Sequence, residues 1–173
     1  MTEVIEYLRT DMTDFPPASE IVDDVLSRTG QALIDGDFET FLPHFLLPQV
    51  IETFEGPKNV KTADDLKALF LSVRTFHKSQ DVNRLVRSCR YAVYKDEDNI
   101  EGVFDALLFN GNELVHNMPS TFVMLTRHDD VWKIIYNMYG VNDDDGFGRA
   151  LIHAPDLPGT PADGGFSAQL KAS

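Results

Sequence analysis

Residues 51–70, IETFEGPKNVKTADDLKALF, hold the passage from strand to helix on which the fold depends. Two short extended runs flank Gly56-Pro57, a pair whose backbone preferences suit a turn. Thr62, followed three residues later by Asp65, forms a capping-box pattern in which each side chain satisfies a backbone N–H of the other. Leu66, Leu69, Phe70 and Val73 then recur at i, i+3, i+4 and i+7, which predicts a helix with one apolar face.

Upstream, residues 1–17 read as a polar arm stopped by Pro16-Pro17. Ile21, Val22, Val25, Leu26, Ala32 and Leu33 follow at helical spacing, with Ser19 as the expected N-cap and Gly36 as the stop. Asp37 is placed to cap a short helix whose Phe38, Phe41, Leu42 and Phe45 share a face, and Pro48 is expected to close that unit. Downstream the period changes from helical to extended. Four β-branched and aromatic runs, at 82–95, 100–109, 113–127 and 131–141, are separated by the turn-formers KDEDN, NGN and HDD. They predict a four-strand antiparallel meander. After Val141 the chain turns rich in Asp, Gly and Pro, so residues 142–173 are expected to form an extended tail. Leu151, Ile152, Leu157 and Phe166 are its candidate docking points. One domain over 18–141, with an arm and a tail, follows from this division.

This order of elements, α+β with three helices on a strongly curved, mostly antiparallel sheet, resembles the cone-shaped nuclear transport factor 2-like (cystatin-like) superfamily. Three stretches carry the resemblance: ALIDGDFETFLPHF at 32–45, the strand, turn and capped helix quoted above, and DDVWKIIYNMYGV at 129–141. The resemblance implies a conical pocket and, in many members, a homodimer through the outer sheet face. It points to the polyketide-cyclase-like (SnoaL-like) branch. Ketosteroid isomerases of this fold carry a base Asp and an oxyanion-hole Tyr and Asp. The matching positions here are Thr53, Thr29 and approximately Ser120, which cannot take the required protons.

Composition narrows the partners. Acidic side chains number 28 against 15 basic ones, a net charge of −13, which disfavours nucleic acid and anionic membrane surfaces. No signal peptide or spanning segment is evident, so a cytoplasmic protein is expected. Cys89 is the single cysteine, which excludes an internal disulfide. Neither a cofactor nor a metal site is expected: the five histidines lack ligand spacing, and VNDDDGFG fails as a calcium loop because Val141 and Ile152 fall at its first and last ligand positions.

Asp105 interrupts the apolar run VFDALLF, and a carboxylate in mid-strand needs a partner. It reads either as a structural partner of Arg90 on the outer face or as a general base inside the cone. His116 and Tyr136 are the companion acid or donor candidates. The two-residue strand period puts Tyr136 with Trp132, Ile134 and Met138 on one face, and the resemblance turns that face inward. Phe54, His77, Arg90 and Trp132 are candidate ligand contacts. The expected function is a pocket for a small apolar or aromatic molecule, with acid–base chemistry on a ring or carbonyl compound if the protein is an enzyme. The alternative is a non-catalytic dimeric binding or scaffold module.

Overall fold

In the computed structural model, residues 14–155 are described. The elements run α1 (Ala18–Asp35), α2 (Phe38–Phe41), a 3-10 turn (Leu42–His44), β1 (Phe45–Thr53), β2 (Gly56–Val60) and α3 (Ala63–Ser79). They continue with β3 (Arg84–Asp96), β4 (Asn99–Asn110), β5 (Glu113–Asn117), β6 (Thr121–His128), β7 (Val131–Met138) and α4 (Gly146–Ile152). The strands form one curved, open sheet in the order β2-β1-β7-β6-β4-β3, with β5 also paired to β4. Only β1 and β7 run parallel.

Local chemistry accounts for the helix ends. Gly36 takes the left-handed conformation (φ 74°) that ends α1, a region where a side chain would be strained. The Asp37 carboxylate accepts from the Thr40 N–H at 3.1 Å. Thr62 and Asp65 exchange both capping-box bonds at 3.1 Å. The expected cap at Ser19 is not used: Ser19 lies inside α1, and Pro17, whose fixed φ suits a helix entry, occupies the cap position two residues earlier.

Prolines correct two further expectations. Pro48 does not close the short helical unit but lies inside β1, which Phe45 opens; the Leu47–Pro48 peptide is cis. The third extended run is broken by Met118-Pro119-Ser120 into β5 and β6, both of which pair with β4. Pro57 lies within β2 rather than at the turn, which falls at Phe54-Glu55; β2 is an edge strand, where a missing N–H is tolerated. The segment expected as extended tail contains α4, capped by Asp145. Leu151 there is buried and Ile152 half-buried, whereas Leu157 and Phe166 lie outside the described residues.

The core lies between the helices and the concave sheet face. Val22, Val25 and Leu26 of α1 and Leu66, Leu69, Phe70 and Val73 of α3 meet Ile100, Phe104, Val123, Leu125 and Ile134 of the sheet. Phe41 joins the layers, with ring centroids 4.6 Å from Phe45 and 4.9 Å from Phe70. Aromatic pairs at such spacing add about 0.5–1.5 kcal/mol each beyond their buried area.

Candidate functional site: a cavity with unpartnered polar groups

Strand alternation decides what faces the concave side. On β4, Phe104, Ala106 and Leu108 are buried, so Asp105 between them points out. On β7 the alternation is interrupted. Met124 pairs with Tyr136 and Leu125 with Ile134, so Ile135 is the extra residue of a β-bulge. The bulge reverses the faces beyond it: Ile134 is inward, Tyr136 outward, and Asn137 and Tyr139 inward. This corrects the uninterrupted two-residue period expected for Trp132, Ile134, Tyr136 and Met138.

A cavity of about 100 Å³ lies between the helices and the sheet. Its wall is mainly apolar, from Phe41, Phe45, Phe70, Phe104 and neighbouring aliphatic residues. The tail segment contributes Phe147 and Leu151, so α4 forms part of the enclosure. It is held there through its carbonyls: Ser72 Oγ donates to Ala150 O at 2.7 Å, and Lys58 Nζ to Leu151 O at 3.1 Å and Ile152 O at 3.5 Å. Gly148 permits the seat, because a Cβ there would overlap Asn142 O.

The polar lining comprises Gln49 from β1, His77 from α3, Arg87 from β3, Thr121 from β6, and Asn137 and Tyr139. Four of the five buried side-chain polar atoms lacking a partner among the described residues belong to this set: Gln49 Nε2 and Oε1, His77 Nδ1 and Arg87 Nε. The fifth is His44 Nδ1, elsewhere. Burying a donor or acceptor unpaired costs about 1–3 kcal/mol, so native folds keep few such atoms.

Burial also sets the protonation states. The His77 imidazole is pushed down to about 4 by desolvation, reinforced by the Arg74 and Arg87 charges, and is neutral at pH 7. Arg87 is lowered to about 10 by desolvation and remains a cation. Burial raises the Tyr139 phenol, against the opposing pull of Arg87, and so keeps it protonated. Arg87 Nη2 donates to Leu26 O at 2.5 Å and to Thr29 Oγ1 at 2.6 Å, both neutral acceptors.

Of the residues singled out from sequence, His77 lines the cavity and the others do not. Asp105 lies on the outer face, 3.3 Å from Arg90 Nη1, and accepts from Ser120 Oγ at 2.6 Å. The register sets it opposite Ser88, because Arg90 is the extra residue of a second bulge. Tyr136 donates to Glu52 on the outer face, which pushes its phenol up to about 12. His116 Nε2 is 3.0 Å from Gln80 Oε1, beside Phe76. Trp132 packs edge-on against Tyr94 at 6.2 Å, and Phe54 is 75% exposed on the β1–β2 turn. Cys89 has its thiol raised by burial first and by Asp23, the opposite of an activated nucleophile.

Gln49, Arg87, Asn137 and Tyr139 were not legible as site residues. Arg87 left a signal all the same, since it shares a strand face with Leu85 and Cys89, which pack on the core. No group of three His, Cys, Asp or Glu side chains among the described residues is placed to hold a metal ion. Nor, among those residues, is any helix long and apolar enough to cross a membrane.

No family model and no curated protein matches this chain. Solved structures do. A domain of unknown function with a cystatin-like fold from Nostoc punctiforme aligns at TM-score 0.56 and 15% identity, over 92% of this chain and 100% of that one. A nuclear transport factor 2-like protein from Novosphingobium aromaticivorans aligns at 0.55 and 13%, over 88% and 96%. Another, of unknown function, from Shewanella oneidensis aligns at 0.54 and 12%, over 70% and 98%. On this architecture and these alignments, the chain has the nuclear transport factor 2-like fold, with the cystatin-like arrangement of helices on a curved sheet.

Proposed function

We propose that this protein binds one small, largely apolar molecule in the cavity of its cone, as ligand-binding members of the SnoaL-like branch do. The observation that carries the proposal is the gathering of Gln49, His77 and Arg87, with four unpartnered polar atoms, in one mainly apolar enclosure. Apolar walls with a few convergent polar groups are the general form of a small-molecule site. The volume, about 100 Å³, admits at most a single ring, being smaller than a dry cavity of about 150 Å³ that takes benzene. Toward such a molecule the neutral His77 imidazole and the protonated Tyr139 hydroxyl serve as hydrogen-bonding groups of the lining, a role that does not fall to Asp105.

Binding of a saturating ligand to the native state raises the melting temperature by mass action. Toluene, phenol and benzyl alcohol are suitable probes. Ala106, 8% exposed and in the wall, is the position to fill. The expected result is a rise with the wild type that is lost in a folded Ala106→Leu variant. Equal rises in both would place binding elsewhere and refute the proposal.

A second reading, pairing of two copies through the outer sheet face, has its own support. Tyr91 and Met138 are 63% and 46% exposed, beside Val103 and Phe122, their partners in register. An apolar face left in water favours association. Light scattering that gives a monomer mass at tens of micromolar would remove this reading.

A further inference from the structure

Resting on the binding proposal above, we infer that the molecule is a single-ring carboxylic acid, bound as its anion with the carboxylate paired to Arg87. Among the described residues no Asp or Glu lines the cavity, although the chain carries 28 acidic residues. Arg87 spends Nη2 on two neutral oxygens, and its Nε–H has no partner. No carboxylate among the described residues forms an ion pair with it. A buried cation without a counter-ion is costly, and no internal anion among the described residues offsets it: the Tyr139 phenol stays protonated.

The guanidinium is nonetheless held in place. Gly30 on α1 leaves it room, since a Cβ there would meet Arg87 Nη2 at 3.1 Å and Nε at 3.4 Å. Phe104 covers it from another side, with its ring centroid 5.8 Å from Cζ. A carboxylate in the cavity pairs with the Arg87 guanidinium, and the unpartnered Gln49 amide and the Tyr139 hydroxyl belong to the same lining as further donors. The ring then occupies the phenylalanine-lined part of the wall. The acidic exterior opposes anions at long range, an effect that salt screens, whereas the enclosed pairing is screened far less.

Calorimetric titration of the full chain at pH 7 and about 150 mM salt, with benzoate and phenylacetate against benzamide and phenylacetamide, tests the assignment. Each acid is expected to bind roughly 10- to 100-fold more tightly than its amide, the worth of hydrogen bonds to a charged group. Arg87→Met is expected to abolish that preference while retaining the amides. Equal binding of acid and amide by the wild type overturns the inference and leaves the apolar-pocket proposal standing. Failure of acids, amides and the neutral rings alike overturns both. The wild-type comparison alone decides the matter if Arg87→Met does not fold.

Discussion

His77 offers a test of the enclosure that needs no ligand. It closes the last turn of α3, where a protonated imidazole would suit the helix dipole. The structure instead buries it to 5% exposure, with Arg74 and Arg87 near enough to oppose its charge, and its pKa falls to about 4. In the unfolded chain a histidine titrates near 6.5. Between those values the unfolded state binds a proton that the folded state refuses, so stability is lost as pH falls through the window from about 6.5 to about 4. Each unit is worth about 1.4 kcal/mol, which gives about 2 kcal/mol lost by pH 5 and about 3 kcal/mol in all.

His77→Gln removes the titration and keeps a polar side chain of similar length. Urea denaturation of both proteins at pH 7, 6 and 5 isolates the effect, because the carboxylates that titrate near pH 5 are common to both and cancel in the difference. Whatever the variant loses at pH 7, its stability relative to wild type should improve by about 2 kcal/mol at pH 5. A difference constant to within about 0.5 kcal/mol would mean that His77 protonates freely in the folded state, and the dry enclosure around it would be wrong.

Asp105→Asn should cost less than about 1 kcal/mol in the same denaturation assay, because the Arg90 pair is exposed and such pairs contribute little; it should leave ring affinity unchanged, and a loss of binding would return Asp105 to the site. Gly148→Ala should destabilise by about 1–3 kcal/mol and weaken ring binding as well, since the added methyl meets Asn142 O and unseats α4 with Phe147 and Leu151; unchanged stability and binding would show that α4 does not help enclose the cavity.

What the sequence disclosed follows from the range of the interactions involved. The stop at Gly36, the cap at Asp37 and the box at Thr62 and Asp65 are contacts between residues three or four apart, so a linear pattern contains them whole. The face assignments depended on an unbroken pleat. The bulges at Arg90 and Ile135 each shift the register by one residue, and one residue is enough to turn every later side chain over. Tyr136 went out and Tyr139 came in for that reason. Asp105 lies in a run apolar at both parities, where alternation gives no direction until the neighbouring strands are known.

The cavity was harder still to foresee, and for a different cause. Gln49, His77 and Arg87 come from β1, α3 and β3, and each is an ordinary residue in its own segment. A polar residue that covers its needs locally, as Thr29 does on Val25 O, tells nothing of a ligand. One that the completed fold leaves unsatisfied does, because three elements have converged to bury it and none supplies its partner. On the proposed reading, a molecule with acceptors facing Arg87 and Gln49 and a ring facing the phenylalanines supplies those partners. Enclosure by α4 then matters energetically as well as sterically, since excluding water from the same atoms is what makes their pairing with a ligand worth more than their pairing with solvent.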